Sequence, residues 1–110
     1  MGYELHGSPF EDVIQGIRGQ FAVSALGPRL EIVENLPGRD TITPWLNRSA
    51  VFYHVAYTVK DFDLRVSELI STGGILLGKG VVPAVAFGGK RICFVMLPSR
   101  LLIELIEDDC

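Results

Sequence analysis

Apolar and polar residues alternate with a period of two along most of this chain, and the places where the alternation fails mark its joints. Ile17, Gly19, Phe21 and Val23 fall on one side and Arg18, Gln20, Ala22 and Ser24 on the other, the pattern of a half-buried strand. Gly27-Pro28 turns the chain into Arg29 to Glu34, where Leu30 and Ile32 share one face and Glu31 and Val33 the other. Residues 2–6 alternate weakly and predict a short strand, with a turn at Gly7-Ser8-Pro9 and irregular chain to Gln15. Three antiparallel strands in succession are expected. Asn35 to Asp40 is rich in turn residues, and Thr43-Pro44 ahead of Trp45-Leu46 reads as a cap followed by proline at the first position of a short bridging helix. A longer helix is encoded from Asp61 to about Thr72, since Phe62, Val66, Leu69 and Ile70 form a stripe at helical spacing and Gly73-Gly74 ends it. Strands are predicted at Val51 to Val59, near Ile75 to Leu77, at Arg91 to Leu97 and from Leu101 onward, with a Gly/Pro/Val loop over residues 79–89. The fold class is therefore α+β: a mixed curved sheet with one main helix.

Two strands carry a polar residue where a core is expected. In Leu101-Leu-Ile-Glu104-Leu-Ile106, Glu104 shares a face with Leu102 and Ile106 while Leu101, Ile103 and Leu105 take the other. A carboxylate among apolar neighbours is costly unless it is paired, hydrogen-bonded or bound to a cation. His54 stands similarly alone in Val51-Phe-Tyr-His54-Val-Ala-Tyr-Thr-Val59. Each has a plain alternative. Glu104 can pair with Arg18 or Arg29, His54 can be a hydrogen-bonded structural histidine, Glu31 a solvated acid on an edge strand, and His6 a surface histidine near the terminus. Tyr53, Tyr57 and Trp45 are most economically core or interface aromatics.

Composition narrows the function classes. At 110 residues, 48% of them of hydrophobic type, the chain is sized for one compact domain with a real core. The net charge of -3 comes without a basic cluster, so no nucleic-acid partner is expected. Apolar stretches are broken well short of the roughly 20 residues of a membrane helix, so no membrane partner is expected either. The start Met1-Gly-Tyr-Glu-Leu-His6 has neither a basic leader nor an apolar signal core, and Cys93 and Cys110 make no disulfide framework or metal-type pair. A cytoplasmic location follows as the expectation, with Cys93 a small buried hydrophobe. Gly88-Gly89-Lys90 lacks the spacing of a phosphate loop and reads as a hairpin turn. No serine has a nucleophile-elbow context. Asp108-Asp109 reads as a solvated tail.

Four segments, in this order, carry a resemblance: Arg29-Leu-Glu31-Ile-Val-Glu34 before Leu-Pro-Gly, His54-Val-Ala-Tyr leading to Val59-Lys-Asp-Phe-Asp63, Gly89-Lys-Arg-Ile-Cys-Phe94 before Pro98, and Leu102-Ile-Glu104-Leu-Ile-Glu107. Over most of its length the chain resembles the vicinal oxygen chelate superfamily, which includes glyoxalases, bleomycin resistance proteins and methylmalonyl-CoA epimerases built from paired βαβββ modules. The resemblance implies a single domain. Residues 1–34 form a first module reduced to three strands, lacking its first strand and helix, residues 35–50 a linker with a short helix, and residues 51–107 a complete βαβββ module. It also implies a divalent metal (Zn, Ni, Co, Mn or Fe), held by Glu31, His54 and Glu104 at three of the family's four ligand positions; the symmetry of a dimer would let His6 from either chain supply the missing one. Imidazole and carboxylate donors suit such a cation. Gly19 stands where epimerases of the family carry a catalytic glutamate, so epimerase activity does not carry over. An incomplete module leaves a sheet edge uncovered, which predicts a homodimer formed by strand exchange.

Three functions follow as competing expectations. The first is a metal-dependent lyase or isomerase of the glyoxalase type acting on a small carbonyl, thioester or thiol-conjugated molecule, with the metal as Lewis acid. The second is a non-catalytic, resistance-type protein that encloses a small molecule. The third is a truncated, dimer-forming module without activity.

Overall fold

The computed structural model describes residues 2–49 and 53–108. Met1, Ala50, Val51, Phe52, Asp109 and Cys110 lie outside the described residues, and with them the first two positions of the strand expected from Val51 and the terminal Asp109 and Cys110. The chain divides into two compact units, Met1–Ala50 and Val51–Cys110.

The first unit is a three-stranded antiparallel sheet in the order β1-β2-β3, with β1 at Glu4–Asp12, β2 at Ile17–Val23 and β3 at Leu30–Asn35, followed by α1 at Thr43–Asn47. The expected turn at Gly7 to Pro9 and the irregular chain after it are corrected: β1 runs on to Asp12, and its register passes from His6 opposite Phe21 to Phe10 opposite Gly19. Four steps on β1 thus match two on β2, which makes Gly7 to Pro9 a bulge within the strand. Gly7 supplies a φ of 72°, the Gln20 Nε2 donates to the Gly7 carbonyl at 3.0 Å, and Pro9 is tolerated because β1 is an edge strand. Thr43 is not the cap of α1. That place belongs to Ile42, whose N–H donates to Asn35 Oδ1 at 2.9 Å, while Asn35 Nδ2 donates to Thr43 Oγ1 at 3.0 Å.

The second unit carries the larger sheet, with β4 at Val55–Val59, β5 at Ile75–Leu76, β6 at Val82–Pro83, β7 at Arg91–Met96 and β8 at Leu102–Glu107. Their order is β4-β8-β7-β5, with β6 also paired to β7; β4 and β8 run parallel and the other pairs antiparallel. The loop expected over residues 79–89 therefore holds a short strand and a 3-10 turn at Val85–Phe87. The helix α2, Phe62–Ser71, lays Phe62 and Val66 on Cys93, Val95, Ile103 and Leu105, with Leu69 packed alongside. Ile70, the fourth residue of the expected stripe, is left largely exposed. On the opposite face of the sheet Ala84, Ile92 and Ile106 form a second cluster, joined by Val82, Phe87 and Phe94. Arg91 ties the helix down: its Nη1 donates to Asp63 Oδ1 at 3.0 Å, its Nη2 to Glu107 Oε2 at 2.6 Å, and its guanidinium lies over the Phe62 ring. Among the described residues no helix is long and apolar enough to cross a membrane.

Candidate functional site

Every position of β8 from Leu102 to Ile106 is buried, so the alternation that separates its faces is packed on both sides. Ile103 and Leu105 meet α2, while Ile106 meets Ile92 and Ala84. Glu104 shares the second face. It is 5% exposed and stands opposite Ala56 on β4 and Phe94 on β7. The strand expected over Val51 to Val59 begins at Val55, one residue after His54, so the histidine sits at the mouth of β4 rather than within it. Alternation through Ala56 keeps it on the face of Glu104.

The two come together. His54 Nε2 lies 2.9 Å from Glu104 Oε1, a hydrogen bond between residues 50 positions apart. The imidazole is held edge-on by Tyr53, with ring centroids at 4.5 Å, and by Phe94 at 4.7 Å, and those two rings stack on each other. His54 Nδ1 is buried and has no hydrogen-bond partner among the described residues. Of the arginines considered for Glu104, Arg18 faces Glu34 at 3.9 Å and Arg29 lies over the Phe21 ring, both within the first unit. Cys93, on the other face of β7, is fully buried; burial and the nearby Glu104 charge push its thiol up to about 11, which keeps it neutral and inert near pH 7. Tyr57 is 50% exposed and is not a core aromatic.

The other expected ligands lie on the first unit's sheet. His6, Phe21 and Glu31 stand directly opposite one another on β1, β2 and β3, so they share a face with Phe21 between the other two. Two strand spacings, about 10 Å, separate the backbones of His6 and Glu31. In the next row Phe10 stands opposite Gly19, and Gly19 opposite Val33. A Cβ on Gly19 would fall 2.6 Å from Phe10 Cζ, so the phenylalanine ring fills the space of a side chain at position 19. Nothing in the local alternation marks Phe10, because the bulge ahead of it changes which β2 residue it meets. Asp12 was missed for the same reason. It is 1% exposed, and its carboxylate accepts from Gln15 N at 3.0 Å and Gln15 Nε2 at 2.8 Å across the β1–β2 turn.

Among the described residues no group of three or more His, Cys, Asp or Glu side chains is placed to hold a metal ion. The His54–Glu104 pair fits a divalent cation in donor type, but at 2.9 Å the two are hydrogen-bonded to each other, closer than the roughly 3.4 Å between two donors of a tetrahedral ion. In number the pair fits only with a third protein ligand added.

A mixed sheet of this order, with a helix on one face and a histidine–glutamate pair on the other, defines an α+β module of βαβββ type. The family model described as the glyoxalase/bleomycin resistance protein/dioxygenase superfamily matches residues 1–94, and the chain belongs to that superfamily. Solved structures agree in fold. A hypothetical protein from Bacillus halodurans C-125 superposes with a TM-score of 0.75 at 21% identity, covering 98% of this chain and 78% of its own. The methylmalonyl-CoA epimerase from Mycobacterium tuberculosis gives 0.74 at 23% identity, covering 98% and 73%. A variant of the Streptomyces coelicolor methylmalonyl-CoA epimerase in complex with 2-nitronate-propionyl-CoA gives 0.66 at 20% identity, covering 98% and 81%. At these identities the likeness is one of fold alone. A comparison with curated proteins gives no match.

Proposed function

We propose that the chain is a single-domain vicinal oxygen chelate protein that binds a divalent metal and a small carbonyl or thioester-type ligand. The observation that carries this reading is the buried contact between His54 Nε2 and Glu104 Oε1. In this reading both residues hold the metal, with Glu31 as the further ligand that the family resemblance implies. A bound dication supplies Lewis-acid polarisation of a carbonyl or enolate oxygen. The chain's own residues fix the donors: β8 carries Glu104 into the sheet, and the Tyr53 and Phe94 rings hold the imidazole in one orientation. The thioester class is suggested by the epimerases among the structural neighbours.

Within the same reading, a resistance-type binding role is favoured over proton abstraction by one observation: the Phe10 ring stands where a side chain at position 19 would be needed as a base. The protein works in the cytoplasm as a homodimer, with β4 as a pairing edge because it borders its sheet and leaves Val55 and Tyr57 exposed.

Calorimetric titration of the metal-free protein with Mn, Co, Ni and Zn salts, with solution mass measured in parallel, tests the reading. One ion per chain is expected, with affinity falling at least tenfold in Glu104→Gln and His54→Ala, and less in Glu31→Gln. Stoichiometric binding that all three variants retain places the ion elsewhere, and a monomeric mass removes the dimer.

A further inference from the structure

Each sheet has two borders, and three of the four are guarded. The β1 strand carries the bulge and Pro9, β3 carries Glu31 and Glu34, and β5 and β6, which share one border, are two residues long each, all of them devices that keep an edge from pairing. The β4 strand has none of them. Val55-Ala-Tyr-Thr-Val59 is uncharged and unbroken, and its first four residues are exposed. The segment also reads alike from both ends: about Tyr57, Ala56 matches Thr58 as a small residue and Val55 matches Val59. A strand of that symmetry suits a second copy of itself, because a two-fold axis sets residue i against residue j and j against i. The register centred on Tyr57 pairs all five residues, Val55 with Val59 of the partner and Ala56 with Thr58 of the partner, large against large and small against small.

We infer that β4 seats the same strand of a second copy, antiparallel and in this register, and that Lys60 of the partner thereby joins the His54–Glu104 cluster. The inference rests on the dimer proposed above and not on the metal. One step beyond the paired residues, His54 stands opposite the partner's Lys60. Ala56 is level with Glu104 on β8, and alternation puts His54, Ala56, Thr58 and Lys60 on that one face. The partner's Lys60 then lies two strand spacings and two residues from Glu104, about 12 Å between backbones, which the two side chains can span together. Their charges complement each other. Glu104 gives Oε1 to His54, and its Oε2 has no partner among the described residues. Lys60 is exposed and makes no ion pair or hydrogen bond among them either. A carboxylate only 5% exposed gains more from an added cation than a surface acid does.

Cysteine cross-linking in a Cys110→Ser background is the test; Cys93 is fully buried and stays out of the reaction. In Tyr57→Cys the two thiols face each other across the axis with Cα atoms about 5 Å apart, so oxidation should give a covalent dimer. Ala56→Cys and Thr58→Cys, each about 8 Å from its own copy, should give none. A mixture of Val55→Cys and Val59→Cys proteins should cross-link where neither does alone, which reports the register even where loss of Tyr57 weakens the pairing. Lys60→Gln should raise the dimer dissociation constant in sedimentation by about tenfold or more, Lys60→Arg should keep it near wild type, and Lys60→Gln should add nothing in a Glu104→Gln protein. Cross-linking through position 56 or 58, no cross-link in either Tyr57→Cys or the mixture, or a dissociation constant unmoved by Lys60→Gln overturns the inference while a dimeric mass upholds the dimer. A monomeric mass at every concentration removes both, and titration with the ion judges the metal reading separately.

Discussion

The chain has two sheets, and they are held together by different means. In the second unit α2 closes one face over an apolar cluster of Phe62, Val66, Cys93, Val95, Ile103 and Leu105, and Ala84, Ile92 and Ile106 fill part of the other. In the first unit the sheet has no helix of comparable length, and side chains clip backbone to backbone instead. Tyr3 Oη donates to the Pro28 carbonyl at 2.7 Å, Arg39 Nη1 to the Val13 carbonyl at 2.9 Å, and Thr41 Oγ1 to the Gln15 carbonyl. Their two buried acids differ in the same way. Asp12 accepts hydrogen bonds from a residue three positions on, across a turn, whereas Glu104 is bonded to one 50 positions away, a contact made by the assembled sheet. A local bond belongs to a turn; a distant, aromatic-framed one belongs to the assembled sheet.

That contrast can be broken most forcefully in the apolar sheet. Ile92 is 0% exposed, and Ile92→Ala should destabilise the protein by about 2 to 5 kcal/mol, whereas Ile32→Ala, at a position 57% exposed, should change stability by about 0.5 kcal/mol or less. Chemical denaturation of both variants decides this; equal losses would dissolve the distinction. Next in size is the pair of acids. His54→Ala leaves a buried carboxylate without its partner and should cost about 3 kcal/mol, against about 1 to 2 kcal/mol for Asp12→Asn, which keeps the shape of the side chain and weakens its bonds to Gln15. The same denaturation series read at pH 7 tests the order of the two losses.

Smaller still is Tyr3→Phe, which removes one exposed hydrogen bond and should lower stability by about 0.5 to 1 kcal/mol, with faster amide exchange confined to the first unit. Exchange that speeds up equally in β7 and β8 would show that the units do not open separately. The smallest effect is one of pH. Hydrogen bonds from Arg91 hold the Glu107 carboxyl below its ordinary value of 4.5, so this pair adds stability above that value and loses it as pH falls through the lowered one. Arg91→Gln should flatten the acid limb of a melting-temperature profile and leave the region above pH 6 parallel to wild type; an unchanged acid limb would assign the dependence to other groups.

Much of this was legible in the residues. The stripe Phe62, Val66 and Leu69 predicted α2 and its buried face, because helical periodicity is a local property. The lone acid in β8 announced itself, since burial of a charge among leucines and isoleucines demands a partner wherever the strand goes. Less was legible where two strands must agree. Counting along β1 gives no warning that Gly7 to Pro9 stays in the sheet, because a bulge shows only when the partner's register is known. His54 was named, yet its placement just ahead of β4 and its enclosure by Tyr53 and Phe94 depend on how β4, β8 and β7 line up.

The amino-acid sequence by itself determined the α+β class, the period of each element and the identity of the polar residues that a core would have to accommodate. It did so because backbone geometry ties side-chain direction to position along one segment. Only the tertiary structure decided that Glu104 takes His54 rather than an arginine, and that Phe10 rests on Gly19. Both contacts join strands through a register set by the whole sheet, and no single segment carries that information.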